Sequence, residues 1–121
     1  MAAKLRVGLI GCGEIGRNHV YGYMHCGRYQ LVAIADLSEP AMEQYDSAFE
    51  EFPDYHPKHY VDAMKMLDEE ALDVVSVATW HTGHSTWTIA AAAHSPAAIL
   101  CEKPMAVDIG AAHEMRMVCQ R

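Results

Sequence analysis

Short apolar runs alternate with longer stretches of mixed polarity along this chain of 121 residues. The runs at 5–10, 31–35, 73–78 and 98–101 are mostly apolar and are bounded by glycine, proline or polar residues. This pattern is typical of strands that are buried on both faces of a parallel sheet. A further, shorter strand is predicted at 59–61, where two histidines and a proline interrupt the pattern. Helices are predicted between these strands, at 15–26, 38–52, 62–67, 85–94 and 108–121.

Capping residues mark several of these helix boundaries. Ser38 and Asp62 each precede a predicted helix and offer a side-chain oxygen to the free N–H groups of its first turn. Pro40 falls in a first turn, where its missing N–H costs nothing. Gly27 and Pro53 stand where helices are expected to end.

Alternating strands and helices predict an α/β fold with a doubly wound parallel sheet and right-handed crossovers. The expected strand order is 3-2-1-4-5, the Rossmann arrangement, with a crevice where the order reverses between strands 1 and 4. The sequence shows no internal repeat, linker or shift of composition. We therefore expect residues 1–121 to form one dinucleotide-binding domain.

Composition and charge exclude several kinds of partner. Apolar residues make up 51% of the chain and charged residues 21%, as in a soluble globular protein. A formal net charge of −7 argues against a nucleic-acid partner. No apolar run is long enough to span a membrane, and the N-terminal residues lead directly into a strand without the pattern of a signal peptide.

The cysteines and histidines indicate neither disulfides nor a metal site. The four cysteines have no paired spacing, so reduced thiols and a cytoplasmic location are expected. They are Cys12, Cys26, Cys101 and Cys119. The eight histidines are scattered and have no cluster of carboxylates nearby, so no bound metal is expected.

A glycine-rich turn follows the first strand and opens the first helix. Gly11 permits the tight turn, Gly13 lets a pyrophosphate approach the backbone, and Gly16 lets the helix pack close to the strand. Glu14 and Ile15 complete the turn, where free N–H groups and the positive end of the helix dipole favour phosphate. The alternative is a purely structural tight turn.

Asp36 ends the second strand, about 20 residues after the turn, where a carboxylate accepts hydrogen bonds from an adenosine ribose diol. A purely structural role as a helix cap is the alternative for this residue as well. The same carboxylate would repel a 2′-phosphate, and no arginine stands among the next residues, which begin with Leu37. NAD is therefore favoured over NADP as the ligand.

A later motif narrows the class. Glu102-Lys103-Pro104 directly follows the fifth strand and resembles the E-K-P motif of the glucose–fructose oxidoreductase / inositol dehydrogenase (Gfo/Idh/MocA) family. His19, the segment 76–79 and His84 are similar to family features in the same order. The resemblance covers essentially the whole chain and implies a dehydrogenase that acts on hydroxyl groups of sugars or polyols.

The resemblance also implies roles for individual residues. Lys103 is expected to be catalytic, contacting the nicotinamide end and helping to move the proton as a hydroxyl is oxidised. The alternative is a surface lysine that forms an ordinary ion pair with Glu102. Glu102 is expected to orient that lysine or to contact the nicotinamide ribose. Thr79, Trp80 and His84 are expected to line the cofactor cleft.

Two departures from the family pattern affect these expectations. Family members usually carry proline, often followed by asparagine, after the fourth strand, whereas this chain has Thr79-Trp80-His81. The indole of Trp80 is expected to line the adenine or the nicotinamide side of the cleft, and His81 is expected to be an exposed loop residue. Family enzymes also continue into a sixth strand and a C-terminal α/β domain that binds substrate, and neither is found in these residues.

We therefore expect a truncated or excised cofactor-binding part that binds NAD without turnover. The alternative is a free-standing nucleotide-binding module, acting as a sensor or as a subunit of a complex. A methyltransferase-like or CoA-binding domain is disfavoured by the E-K-P motif and by the spacing of Asp36. The apolar fifth strand would form an unprotected edge, which predicts self-association into a homo-oligomer.

Overall fold

A computed structural model describes residues 3–120 and contains a five-stranded parallel sheet in the order β3-β2-β1-β4-β5. This confirms the predicted strand order and the doubly wound architecture. The strands are β1 Leu5–Ile10, β2 Tyr29–Ala35, β3 Lys58–Tyr60, β4 Val74–Val77 and β5 Ala98–Cys101. The helices are α1 Glu14–His25, α2 Glu39–Ala48, α3 Ala63–Glu69, α4 His84–Ala92 and α5 Ile109–Cys119, with a 3-10 turn at His81–Gly83.

The two faces of the sheet carry separate hydrophobic cores. Neighbouring residues of β1 point to opposite faces, as a strand requires. Leu9 packs in one core with Phe49, which follows α2, while Ile10 packs in the other with Met66 of α3 and Ala91 of α4. Full burial of each large apolar side chain stabilises the fold by about 1.5–3 kcal/mol. The helices therefore lie on both faces of the sheet and leave the carboxyl ends of the strands uncovered.

The predicted caps are present in the structure. The side chain of Ser38 accepts a hydrogen bond from the N–H of Ala41 at 3.2 Å, and that of Asp62 accepts one from Met64 at 2.9 Å. Caps of this kind stabilise a helix by about 1 kcal/mol. They fix where α2 and α3 begin, immediately after β2 and β3.

The end of α2 differs from the prediction. The sequence predicted a helix as far as residue 52, but α2 ends at Ala48. Phe49 is fully buried and stacks against Tyr55, with ring centroids 5.2 Å apart. Successive turns, with Phe52 N–H bonded to Phe49 and Tyr55 N–H to Phe52, bring these rings together. Aromatic packing therefore ends the helix before Pro53 is reached.

The other boundaries differ by one or two residues. Strand β2 begins at Tyr29, before the purely apolar run, because its first residues pair with the start of β1. Helix α4 covers His84–Ala92 instead of 85–94. None of the helices within residues 3–120 has both the length and the apolar character needed to cross a bilayer.

Candidate functional site

The glycine turn lies at the carboxyl end of β1, beside the end of β4. Gly11 has a φ of +99°, a conformation that side chains rarely adopt. A Cβ added there would also lie 2.7 Å from the backbone of Ala78 and of Thr79. The first glycine is therefore required by its own conformation and by the backbone that follows β4 and passes next to it.

The other two glycines serve different needs. A Cβ at Gly16 would lie 2.7 Å from the carbonyl oxygen of Gly11 and would collide with the hydroxyl of Tyr45. Gly16 thus allows α1 to pack closely on the turn. Gly13 has no atom within 4 Å of its Cβ position and caps α1 without any side-chain hydrogen bond. The helix N-terminus there is open, which suits an anion such as a pyrophosphate.

Glu14 and Ile15, the two residues between Gly13 and Gly16, are exposed at the start of α1. Their side chains lie at the rim, so the backbone N–H groups of the first turn stay accessible. The hydroxyl of Tyr45 donates to the carbonyl oxygen of Gly13, and the guanidinium of Arg17 lies 5.6 Å from the centre of the Tyr45 ring. Tyr45 and Arg17 therefore support the turn from α2 and α1, a role that no motif in the sequence indicated.

Asp36 is held against the glycine turn by backbone groups. Its Oδ2 accepts a hydrogen bond from the N–H of Cys12 at 2.7 Å, and its Oδ1 accepts one from Ser38 at 2.8 Å. An ionised carboxylate has about four acceptor positions, so both oxygens can still accept from ribose hydroxyls. Leu37 follows with 89% of its surface exposed, at the outer rim. The turn and Asp36 thus form one unit, as the motif predicts.

The thiol of Cys12 takes no part in this surface. It is buried beneath the turn, and burial, reinforced by the nearby charge of Asp36, strongly raises its pKa. A neutral buried thiol is a weak nucleophile. Only the backbone N–H of Cys12 contributes to the site.

The E-K-P segment, Glu102 to Pro104, follows β5 and lies, like the glycine turn and Asp36, at the carboxyl ends of the strands. The N–H of Glu102 bonds to the carbonyl of Val77 at the end of β4, at 3.0 Å. The Glu102 carboxylate meets the Nε2 of His19, on α1, at 2.9 Å. This hydrogen bond lowers the pKa of Glu102 below its ordinary value, so the carboxylate is ionised. His19 matched the family pattern in the sequence, but its contact with Glu102 was not predicted.

His84 lies underneath the two loops that border the site. Only 1% of its surface is exposed. Its Nδ1 lies 2.6 Å from the carbonyl oxygen of Pro104, and its Nε2 lies 2.9 Å from that of Thr79. Both ring nitrogens are thus engaged with backbone, which places His84 behind the cleft wall instead of on its surface.

Lys103 and Trp80 are the exposed members of this end of the site. Trp80 has 83% of its surface exposed, and His81 beside it is also exposed, as predicted. Lys103 is exposed, and its amide donates to the Oε2 of Glu102 at 3.3 Å. Within the described residues no carboxylate lies at salt-bridge distance from its ammonium, and no three His, Cys, Asp or Glu side chains are placed to share a metal ion.

Comparison with known proteins gives a consistent assignment. A family model described as an oxidoreductase family with an NAD-binding Rossmann fold, GFO_IDH_MocA, matches residues 5–121. D-apiose dehydrogenase of Paraburkholderia graminis is 30% identical over 118 residues, covering 98% of this chain and 30% of the relative. Inositol 2-dehydrogenase of Burkholderia multivorans is 30% identical over 104 residues, covering 85% of this chain and 29% of the relative.

A solved structure shows the same fold. An oxidoreductase from Agrobacterium radiobacter, in complex with NAD+, L-tartaric acid and magnesium, superposes with a TM-score of 0.86 at 27% identity. The match covers 98% of this chain and 33% of that protein. The chain thus spans about a third of the length of the relatives it matches.

Proposed function

Because the chain belongs to the Gfo/Idh/MocA oxidoreductase family and has its NAD-binding Rossmann fold, we propose that it is the cofactor-binding part of a dehydrogenase for a sugar or polyol hydroxyl. The names of its relatives, an apiose dehydrogenase and an inositol dehydrogenase, support this substrate class. One structural observation carries the proposal. The glycine turn, Asp36 and the E-K-P segment, far apart in sequence, lie together along the carboxyl ends of β1, β2, β4 and β5.

The residues present fit a nicotinamide dinucleotide. The open helix N-terminus at Gly13 would receive the pyrophosphate, and Asp36 would accept the adenosine ribose hydroxyls. Leu37 would lie beside the adenine, and Thr79 and Trp80 would line the cleft towards its nicotinamide end. Glu102 and Lys103 would face the nicotinamide end. The carboxylate of Asp36 would repel a 2′-phosphate, so NAD is the proposed cofactor.

When bound, the nicotinamide supplies a hydride acceptor. In our proposal the amine of Lys103 accepts the proton of the substrate hydroxyl as the hydride leaves, and the ammonium that forms stabilises the negative charge that develops on the oxygen. The carboxylate of Glu102 holds the backbone of Lys103 through the amide contact at 3.3 Å. Catalytic partners and the substrate-binding surface would lie outside residues 1–121, since the chain covers only 29–33% of its relatives.

The direct test is calorimetric titration of the chain with NAD+, NADP+ and ADP-ribose. We expect NAD+ and ADP-ribose to bind, and NADP+ to bind about 10-fold more weakly or worse because like charges meet at Asp36. Absence of binding at about 1 mM NAD+ would contradict the proposal. Equal affinity for NADP+ would contradict the role of Asp36 but not the cofactor class.

The surroundings of β5 support a proposal on assembly. This strand lies at the edge of the sheet, and Leu100 is 52% exposed. We propose that, in a protein of these 121 residues alone, a second copy covers this edge and gives a homo-oligomer. Light scattering at high protein concentration tests it, since a monomeric mass would contradict the proposal.

The free thiols support a reducing, cytoplasmic location.

A further inference from the structure

Two buried histidines reach the E-K-P segment from helices on opposite faces of the sheet. His19 belongs to α1, which packs in one core, and His84 begins α4, which packs in the other. We propose that they form a two-histidine clasp, defined by His19–Glu102 and His84–Pro104, that sets the position of Lys103. The proposal rests on the proposed function only in taking Lys103 to face the nicotinamide.

The first half of the clasp is the contact between His19 and Glu102. His19 is 9% exposed and meets the Oε1 of Glu102 at 2.9 Å, while the Oε2 accepts the N–H of Lys103 at 3.3 Å. One carboxylate thus connects α1, the helix that opens at the glycine turn, to the peptide that carries Lys103.

The second half is the contact of His84 with two carbonyls. A carbonyl oxygen only accepts, so a ring nitrogen satisfies it only when that nitrogen carries a proton. The ring of His84 faces two such oxygens, of Pro104 at 2.6 Å and of Thr79 at 2.9 Å. The two contacts hold the loop after β4 against the E-K-P segment.

Because polar residues make these contacts, a role in positioning Lys103 is favoured over a role in stability alone. Burying a polar or ionic pair carries a desolvation cost, and well-packed apolar residues often stabilise a fold equally well. What the polar groups add is a defined geometry, because hydrogen bonds have direction. Lys103, between the two clasped residues, has no side-chain partner among the described residues that would fix it otherwise.

The test compares leucine and glutamine variants at both positions. His19→Leu and His84→Leu remove the hydrogen bonds, whereas His19→Gln and His84→Gln retain an N–H donor. His25→Leu is the matched control on α1, because the Nδ1 of His25 contacts only the carbonyl of Tyr21 on the same helix, at 3.1 Å. Two readouts are used, amide hydrogen exchange of residues 102–107 and the affinity for NAD+ and for ADP-ribose, which lacks the nicotinamide.

We expect each leucine variant to raise exchange in 102–107 and to weaken NAD+ binding by about 10-fold. ADP-ribose affinity should stay within about 2-fold, since the adenosine half is untouched. The glutamine variants should recover part of both effects, and His25→Leu should show neither. If His19→Leu fails to fold, Glu102→Ala cuts the same contact from its exposed side and should raise the same exchange rates.

Unchanged exchange in 102–107 would overturn the clasp, and so would an equal loss of ADP-ribose and NAD+ affinity. The two proposals fail separately. A wild-type chain that binds neither ligand would refute the proposed function, while the exchange data would still decide whether the clasp holds the segment.

Discussion

The two ends of the candidate site are built in different ways. The adenosine end, formed by the glycine turn and Asp36, is held by backbone groups: two N–H groups grip the carboxylate of Asp36 at 2.7 and 2.8 Å. The proposed nicotinamide end, formed by Thr79, Trp80 and the E-K-P segment, depends on side chains. Its contacts join residues that are 83 and 20 positions apart in the chain.

The difference follows from what each end must do. A pyrophosphate and a ribose diol are the same in every NAD molecule, so a backbone cradle on the first two strands suffices. In the proposed function, the nicotinamide end would hold Lys103 against the substrate, and its residues sit on loops that the scaffold positions. Recognition of the pyrophosphate and ribose by backbone groups and positioning of Lys103 by side chains thus occupy neighbouring parts of the carboxyl end of one sheet.

The largest effect is expected for Gly11→Ala at the adenosine end. The new Cβ would be strained at a φ of +99° and would lie 2.7 Å from the backbone of Ala78. Such strain costs about 1–3 kcal/mol, and the close contact adds to it. We expect a clear fall in the free energy of unfolding, measured by urea denaturation.

Gly13→Ala is the matched control, since nothing lies within 4 Å of its Cβ position. The free energy of unfolding should change by less than about 1 kcal/mol, relative to Gly11→Ala. NAD+ affinity should nevertheless fall, because the methyl group occupies space meant for the pyrophosphate. Equal destabilisation by the two alanines would contradict the division of roles between the glycines.

A smaller but more selective effect is expected for Asp36→Ala. The variant loses the hydrogen bonds to a charged acceptor, so its affinity for both NAD+ and ADP-ribose, measured by calorimetry, should fall by about 10- to 100-fold. Discrimination against NADP+ should relax at the same time. Unchanged NAD+ affinity would contradict a role for Asp36 in the site. A loss of affinity confined to NAD+ would place Asp36 at the nicotinamide end and not at the adenosine end.

The contrast between the ends also explains what the sequence could predict. The strand order, the glycine turn and Asp36 follow from local patterns, because apolar runs, caps and glycine spacing act over short distances. The partners of Glu102 and His84 could not be predicted, since they depend on how α1 and α4 pack against the finished sheet. Likewise Tyr45 beneath Gly13, and the early end of α2, are set by tertiary packing that no short pattern encodes.

The exposed indole of Trp80 gives a test of the nicotinamide end. Stacking of the nicotinamide on this ring would contribute about 0.5–1.5 kcal/mol, so Trp80→Phe should weaken NADH binding by no more than about 10-fold. Indole emission overlaps the absorption of reduced nicotinamide, so NADH should quench tryptophan fluorescence. Trp87, which packs against the core, is the control. Quenching that survives Trp80→Phe and is lost in Trp87→Phe would place the nicotinamide elsewhere.

The smallest expected effect is a pH dependence of the free energy of unfolding, with opposite sign at the two ends. Beside the adenosine end, His59 contacts Asp46 and Glu39; burial lowers its pKa, but these carboxylates outweigh burial and raise it. This stabilisation is complete below the unfolded pKa of about 6.5 and is lost as pH rises through the folded value. At the nicotinamide end, the lowered pKa of Glu102 gives stabilisation that is present above its ordinary value of 4.5 and is lost as pH falls through the folded value.

Urea unfolding across this pH range should resolve both contributions, each below about 1 kcal/mol because the contacts are partly exposed. His59→Gln should flatten the decline above pH 6.5 only in part, since Asp68 and Ala90 also raise the pKa of His94. Glu102→Gln should flatten the acid side. If His59→Gln altered the acid side, the two ends would be coupled through the sheet and could not be treated as separately built.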